Sequence, residues 1–464
     1  MSIHSLGGVL LLDVVLLIVG SALLSSFGAV SSHRDVVRLA GLAWFVGVAA
    51  LGILISLELM VGIDYGPITV LVSAGALFAV GLVVGSRRSA PADDDLACGR
   101  RFGNQLPVVA VGVAILAVIL EAQFRAGRLA GLYEWDAMAS WVPKSKALYE
   151  WGHLSPAFLN QVGNGWYPPL VSVLDALAFS AMGSSDVVTL HLLHWSALVA
   201  FAAAVIGLSS RHVPQVMLWP PLLALAAAPV LTQHADSPLA DLPLDYFLSL
   251  ALILVVLWLL GGPPWCLVVA SVLLGAAALT KREGLPFVAC LVVASLVAGR
   301  FASRRSWAPL ALMAIPAVLL TVAWDTWIAI EGVRSQSPEI GYLGLFTHLG
   351  RVWPSVHLTL HVLYGGSWWV ALPLAVVLAI GSATVARAWS LAALGAGYVV
   401  LTILVCSWAT LSFPVLPFTT NGAVNPIVRL SGAIVLPAMA ILPLLLAEAW
   451  WPRREPREAP SSGL

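Results

Sequence analysis

Charge is scarce in this chain and carries no net sign. Only 10% of the 464 residues are charged, 23 basic against 23 acidic, while 60% are hydrophobic. Such a chain has no general attraction for nucleic acid or for acidic surfaces, and no nucleic-acid partner is expected. Cysteine is rarer still. Of the four, Cys266, Cys290 and Cys406 lie in apolar runs and Cys98 in a basic loop, a pattern that builds no disulfide framework. No Lys or Arg precedes Arg34, so the first apolar run lacks the basic leader of a cleaved signal peptide and reads as a retained helix. Internal repeats are missing, and with them the matched broken helices of an inverted-repeat transporter. Lysine is the rarest cation: three residues, Lys144, Lys146 and Lys281, against 20 arginines (23 less three). Two of those three fall in one polar stretch, Tyr133–Lys146.

What the chain has in abundance is apolar sequence, with a mean hydropathy of +0.95. Most of its residues must therefore face lipid or other buried helices. Apolar runs predict helices near 6–28, 39–61, 67–86, 106–124, 187–208, 214–232, 241–260, 264–280, 285–300, 307–330, 367–386, 389–411 and 430–451, thirteen transmembrane helices with ends uncertain by about 2–4 residues. The piece 168–182 opens with Pro-Pro and is short for a span, so it is expected to lie at the interface or in an outer cavity.

Lys and Arg counts in the short loops orient the chain. With the N-terminus outside and the C-terminus inside, the inner loops and tail hold 14 of the 23 basic residues. Counting 168–182 as a span moves Arg211, Arg300, Arg304, Arg305 and the basic tail outside, a worse distribution. The preferred topology puts three sizeable loops outside, 125–186, 331–366 and 412–429. The run Asp93-Asp94-Asp95 then falls inside as a solvated linker, and 452–464 reads as a disordered tail. The expected location is the cytoplasmic (inner) membrane.

Within Tyr133–Lys146, Glu134 and Asp136 sit beside Trp135 and Trp141, just past the fourth apolar run. A carboxylate placed there is partly desolvated, which moves its pKa towards that of a general base. The competing reading is an exposed loop acid beside interfacial tryptophans.

Tyr133-Glu134-Trp135-Asp136-Ala137, then Trp141-Val142-Pro143-Lys144-Ser145-Lys146-Ala147-Leu148-Tyr149, then Tyr167-Pro168-Pro169-Leu170 resembles the first outer loop of GT-C membrane glycosyltransferases, the relatives of protein O-mannosyltransferases and of the aminoarabinose transferase that modifies lipid A. Three further segments agree in order. Ala235-Asp236-Ser237-Pro238-Leu239-Ala240-Asp241 resembles the family's acidic motif, Leu279-Thr280-Lys281-Arg282-Glu283-Gly284 its Leu-Thr-Lys-x-x-Gly turn, and Arg429-Leu430 with Leu436-Pro437 the Arg and Leu-Pro of its last helix. The resemblance spans roughly 106–451, so the implied organisation is a three-helix transmembrane extension over 1–100, a GT-C-like module over 101–451 and the tail 452–464. The implied fold class is an all-α polytopic membrane protein with interfacial helices in its first large outer loop.

The resemblance implies inverting transfer of a sugar from a polyprenyl-phosphate donor to an acceptor hydroxyl on a glycan, lipid or protein. Asp136 is then the catalytic base, with Glu134 in reserve. The departing lipid phosphate requires cations already in place, and Lys144, Lys146, Lys281, Arg282, Arg351 and Arg429 all fall on the outer side. A charge near mid-membrane costs roughly 2.5–3.5 kcal/mol, so Lys281 and Arg282 are expected at the rim of a watery cavity. Trp135, Trp141 and Tyr167 are the candidates for sugar or acceptor contact. Asp236, with His234 and Asp241, is expected to orient an acceptor; a divalent metal there is the less favoured reading, and no other cofactor is indicated.

His191/His194 and His357/His361 have helical spacing but lack the carboxylate of a zinc motif, so both pairs are expected to be hydrogen-bonded between helices. Of the acids inside apolar runs, Asp325 is placed for the cavity, while Asp13, Glu58, Glu121 and Asp245 are expected near helix ends or paired with neighbouring helices. Two rivals remain open: a lipid or solute transporter or flippase without covalent chemistry, and a ligase or polymerase with a diphosphate-linked donor.

Overall fold

The computed structural model describes residues 2–86, 105–129, 131–132, 134–302, 307–334, 349–365, 368–412 and 426–450. Among them every regular element is helical and no strand occurs. The order is α1 Ile3–Phe27, α2 His33–Arg38, α3 Ala40–Met60, α4 Pro67–Ser86 and α5 Leu106–Gly127, then a π-helical turn Ala137–Trp141 that runs into α6 Val142–Trp151. Next come α7 Pro156–Leu159, α8 Leu170–Met182, α9 Val187–Ser209, α10 Gln215–Ala226, α11 Pro229–His234, α12 Asp241–Leu259, α13 Trp265–Thr280 and α14 Gly284–Gly299. The chain closes with α15 Trp307–Leu312, α16 Ile315–Glu331, α17 Val352–Tyr364, α18 Ala371–Val385, α19 Trp389–Ser412, α20 Pro426–Leu430 and α21 Gly432–Trp450.

Each of the thirteen apolar runs contains helix. Among the described residues nine helices are long and apolar enough to cross a membrane, which makes the chain a multi-pass membrane protein. The remaining runs form shorter apolar helices, including α10, α13, α14 and α18. Proline explains two of the differences. Pro229 cannot continue α10, so the run 214–232 divides into α10 and α11, and Pro316 starts α16 after a break at Met313 and Ala314.

The helices sort into inner and outer layers. The central α12 and α21 are enclosed almost completely, whereas α4 and α5 leave most of their surface outward. In the α1–α3 crossing, backbones approach closely through small residues. A Cβ on Gly20 would lie 1.7 Å from the Ala43 carbonyl oxygen, and one on Gly47 2.1 Å from that of Leu16. Then α3 packs on α9 and α13, so the N-terminal helices share the core of the bundle.

The helix α8 is enclosed by protein: nearly all its residues are buried, against α1, α3, α6 and α9. Its sequence has no polar face to present to water, and protein therefore encloses it on nearly every side.

Within α21, Pro437 has no N–H for the Ala433 carbonyl one turn back. The Tyr398 hydroxyl of α19 donates to that carbonyl instead, at 2.6 Å and fully buried. Tyr398→Phe should therefore orphan a buried acceptor and lower stability by about 1–3 kcal/mol. Thermal unfolding of the purified variant checks this, and an unchanged midpoint would exclude the role.

Helix direction alternates so that the ends of α5, α11, α13 and α16 meet the starts of α9, α12, α14 and α20 at one end of the bundle. Contacts between Gly127 and Asp236, Lys281 and Asp241, Arg282 and Asp325, and Arg429 and Asp136 fix this. The N-terminal layer reaches the same end: the Tyr65 hydroxyl bonds Ser180 at 2.7 Å and its backbone N–H donates to Gly152. Asp35 lies elsewhere, pairing with Arg38 at 2.9 Å and Arg211 at 3.3 Å.

Candidate functional site

At the shared end, charges from four separate segments form one connected network. Arg429, in α20, pairs with Asp136, a residue 293 positions away, and its second terminal nitrogen lies 3.6 Å from Asp241. Asp241 opens α12 and accepts a hydrogen bond from Lys281 at 2.8 Å. Lys281, between α13 and α14, also lies 3.8 Å from Glu283. Glu283 in turn accepts from the Tyr167 hydroxyl at 3.2 Å. The cations Arg429 and Lys281 thus share Asp241 between them, with one further acid on each side. Arg429 Nε and Glu283 Oε2 make no hydrogen bond among the described residues.

The π-helical turn positions Asp136. Such turns widen the helix by one residue per turn and recur at functional sites. Tyr133–Lys146 was expected as a loop, but from Trp135 onward it is helical; Tyr133 itself is outside the described residues. Trp141 anchors the turn in a small apolar cluster with Ala137, Val171, Leu239 and Ala240, and its ring meets Tyr167 edge-on at 5.8 Å. The two tryptophans therefore divide the work of the loop: Trp141 is a buried wall, while Trp135 is 65% exposed.

Lys144 lies over the Trp141 ring at 4.1 Å and donates to the Asn164 carbonyl at 3.1 Å. Burial pushes its ammonium down to about 7, and the nearby Asp136 carboxylate offsets only part of that. Lys281 goes the other way. Burial alone would lower it, but Asp241 and Glu283 hold it above the ordinary lysine range. Lys281 is thus a permanent cation, and Lys144 one that titrates near neutrality.

The Lys144 shift has a stability consequence. Between about pH 7 and 10.5 the unfolded chain keeps this proton and the folded chain does not, so stability rises with pH across that window. Below about pH 7 the full cost of burying the charge is present. Lys144→Met should remove the rise, and thermal unfolding of both proteins at about pH 6.5, 8 and 9.5 measures it. Parallel profiles would refute it.

Glu134 is buried and lies 3.0 Å from His234 Nδ1, at ion-pair distance but without hydrogen-bond alignment. Arg282 points outward from the network. It pairs with Asp325 and covers the Trp166 ring at 4.5 Å, and Trp166 touches Tyr167. Lys281 is not at an open rim as expected: it is 8% exposed, because Asp241 and Glu283 supply the partners that water would have. Lys146 and Arg351 make no ion pair among the described residues. Asp236 turns from the network towards α5, where a Cβ on Gly127 would lie 2.2 Å from its Oδ2.

His191 and His194 are each hydrogen-bonded between elements, to the Asp236 carbonyl at 2.6 Å and to Asp175 at 3.0 Å. His357 and His361 differ from expectation. They stack along α17 with ring centroids 6.5 Å apart, both exposed, since α17 turns that face outward. Asp13 accepts from Trp44 and Ser196, Glu58 from Ser73, and Glu121 pairs with Arg125 along its own helix. Asp245 is buried one turn below Asp241, with one oxygen lacking a partner. Among the described residues no group of three or more His, Cys, Asp or Glu is placed to hold a metal. The Asp93–Asp95 run, Cys98, the tail 452–464, residues 335–348 and 366 of the loop 331–366, and residues 413–425 of the loop 412–429 are outside the described residues.

Two members of the network, Asp241 and Glu283, were not singled out by sequence, Asp241 having been named only as a helper to Asp236. Their signal is acid and base clustered at turns between apolar helices, where short connections leave little water to solvate them. Comparison with protein-family models, with curated proteins and with solved structures returned no match.

Proposed function

We propose that the chain is an inverting glycosyltransferase that moves a sugar from a polyprenyl-phosphate donor to an acceptor hydroxyl. The observation carrying this reading is the Asp136–Arg429–Asp241–Lys281 arrangement: a carboxylate able to take a proton beside two buried cations able to receive a phosphate. Its end of the bundle is assigned to the outer face of the cytoplasmic membrane by the Lys and Arg count, with the N-terminus outside and the C-terminus inside. GT-C resemblance in the motifs that contribute Asp136, Asp241, Lys281 and Arg429 supports it further.

In this reading the acceptor oxygen attacks the anomeric carbon as its proton passes to Asp136. One C–O bond forms, the bond from the anomeric carbon to the phosphate oxygen breaks, and a single displacement inverts that centre. The phosphate leaves as an anion, and Arg429 and Lys281 stabilise the charge as it develops. Arg429 holds Asp136 until the donor arrives. A phosphate that engages the guanidinium competes with the carboxylate, so donor binding frees the base. Asp241 remains between the two cations and keeps both in place. Tyr167 and Trp141 form the wall beside them, and Lys144 adds positive charge below about pH 7.

The test is turnover by the purified chain supplied with a polyprenyl-phosphate sugar and candidate acceptors. Free polyprenyl phosphate released only when an acceptor is present supports transfer. Movement of the donor across the bilayer with no such release would replace transfer by transport.

A further inference from the structure

Three buried hydrogen-bond acceptors converge on a cleft that the ion-pair network does not use. It lies between the last turn of α5 and the first turns of α9, walled by Phe124, Leu192 and Trp195, with Asp236 at its base. Its interior has room for a single water-sized group, so an ammonium can enter it and the rest of a ligand must remain outside.

The polar lining is one-sided. No side chain among the described residues donates to the Asp236 carboxylate, although Asp236 is only 8% exposed. Burial pushes this carboxyl up, and His191, His194 and His234 offset that only in part. His191 commits its Nδ1–H to the Asp236 carbonyl, so Nε2 is left as a bare acceptor, and it makes no hydrogen bond. Gln123 donates its amide nitrogen to the Ala226 carbonyl at 3.2 Å, and its Oε1 likewise makes none. Buried acceptors without donors are uncommon and call for a partner. Gly127 is part of the design, since any larger residue would displace the Asp236 carboxylate.

The cleft opens at the periphery of the bundle. The outward face of α5 is apolar, with Val111, Val113 and Val118 exposed, and Arg128 stands exposed at the rim. We propose that the cleft binds the headgroup of a membrane phospholipid bearing a primary ammonium, which donates to Asp236, His191 and Gln123 while its phosphate meets Arg128. Each alternative headgroup fails on one count. A trimethylammonium has no N–H to give, a glycerol headgroup has no cation for Asp236, and a bare phosphate would face a carboxylate. Phe124 and Trp195, with ring centroids 5.3 Å apart, supply the apolar and aromatic sides that suit an ammonium and its methylenes. The bound headgroup would sit behind the segment that carries Asp236 and, five residues on, Asp241.

The test uses the purified full chain in detergent, titrated with phosphatidylethanolamine, phosphatidylcholine or phosphatidylglycerol of identical acyl chains, with bound lipid counted by native mass spectrometry. Phosphatidylethanolamine should bind at least about tenfold more tightly than either of the others. Asp236→Asn should abolish that preference, and Arg128→Ala should weaken all three lipids. Equal binding of phosphatidylethanolamine and phosphatidylcholine would overturn the proposal. So would equal binding of phosphatidylglycerol, which would mean that only phosphate is read. The wild-type comparison decides even if a variant fails to fold. It measures no turnover, so its outcome is separate from that of the transfer reading.

Discussion

Asp136→Asn should lower sugar transfer by at least about 100-fold while the chain stays folded. The amide cannot accept the acceptor's proton, and a placed general base contributes on the order of 10²–10⁴-fold. Folding should survive because Arg429 keeps Asp241 as a counter-charge when Asp136 is neutral. The variant should also reveal the exchange at Arg429. With the competing carboxylate gone, the donor meets a free guanidinium, so kcat should fall while the donor KM holds or drops. A raised donor KM with unchanged kcat would mean that Asp136 binds rather than abstracts, and near-normal turnover would remove it from the chemistry. Glu134→Gln serves as the control. Glu134 is turned to His234 and not to Arg429, so its loss should cost much less than that of Asp136.

The helical frame was legible because the apolar runs that cross a membrane are long and the prolines that interrupt them are local signals. Pro229 and Pro316 divide helices where their missing N–H groups require it, and the run 67–86 matches α4 to the residue. The reach of each charged side chain was not legible. Nothing local joins Asp136 to Arg429 across 293 positions; only the alternation of helix direction brings them together. Lysine scarcity pointed to Lys144 and Lys281, and both are buried in the assembled site, but the same signal also selected Lys146, which makes no ion pair among the described residues. Trp135 and Trp141 were both candidates for sugar or acceptor contact in the sequence, Trp135 the favoured one because it abuts Asp136. The π-helical turn separates them, placing one inside and one outside, and a turn widened by a single residue leaves no pattern in composition. Glu283 was passed over for the opposite reason. It is a common kind of residue beside a helix end, and only its partners Lys281 and Tyr167 give it a role.

Asp241 is the residue on which both cations depend, and its removal should be the most damaging single change to stability in the network. Asp241→Asn leaves Lys281 and Arg429 buried side by side with less than their full counter-charge. Breaking a buried ion pair by removing one partner costs about 3–5 kcal/mol, because the charge left behind has lost its compensation. Lys281→Met should cost a similar amount for the mirror reason, since Asp241 would then keep only the more distant Arg429 at 3.6 Å. The double variant, Asp241→Asn with Lys281→Met, removes both charges at once. It should be far closer to wild type than the sum of the single losses, with a coupling of about 0.5–3 kcal/mol or more in the cycle. Unfolding midpoints of the four proteins measure this, and additive losses would show that the pair is not coupled. The same double variant separates stability from function. A folded chain that lacks Lys281 has one cation fewer for the departing phosphate, so its transfer should remain low even where its midpoint recovers. Recovery of turnover along with stability would mean that Lys281 serves the fold alone, and the phosphate role would pass to Arg429 and Lys144.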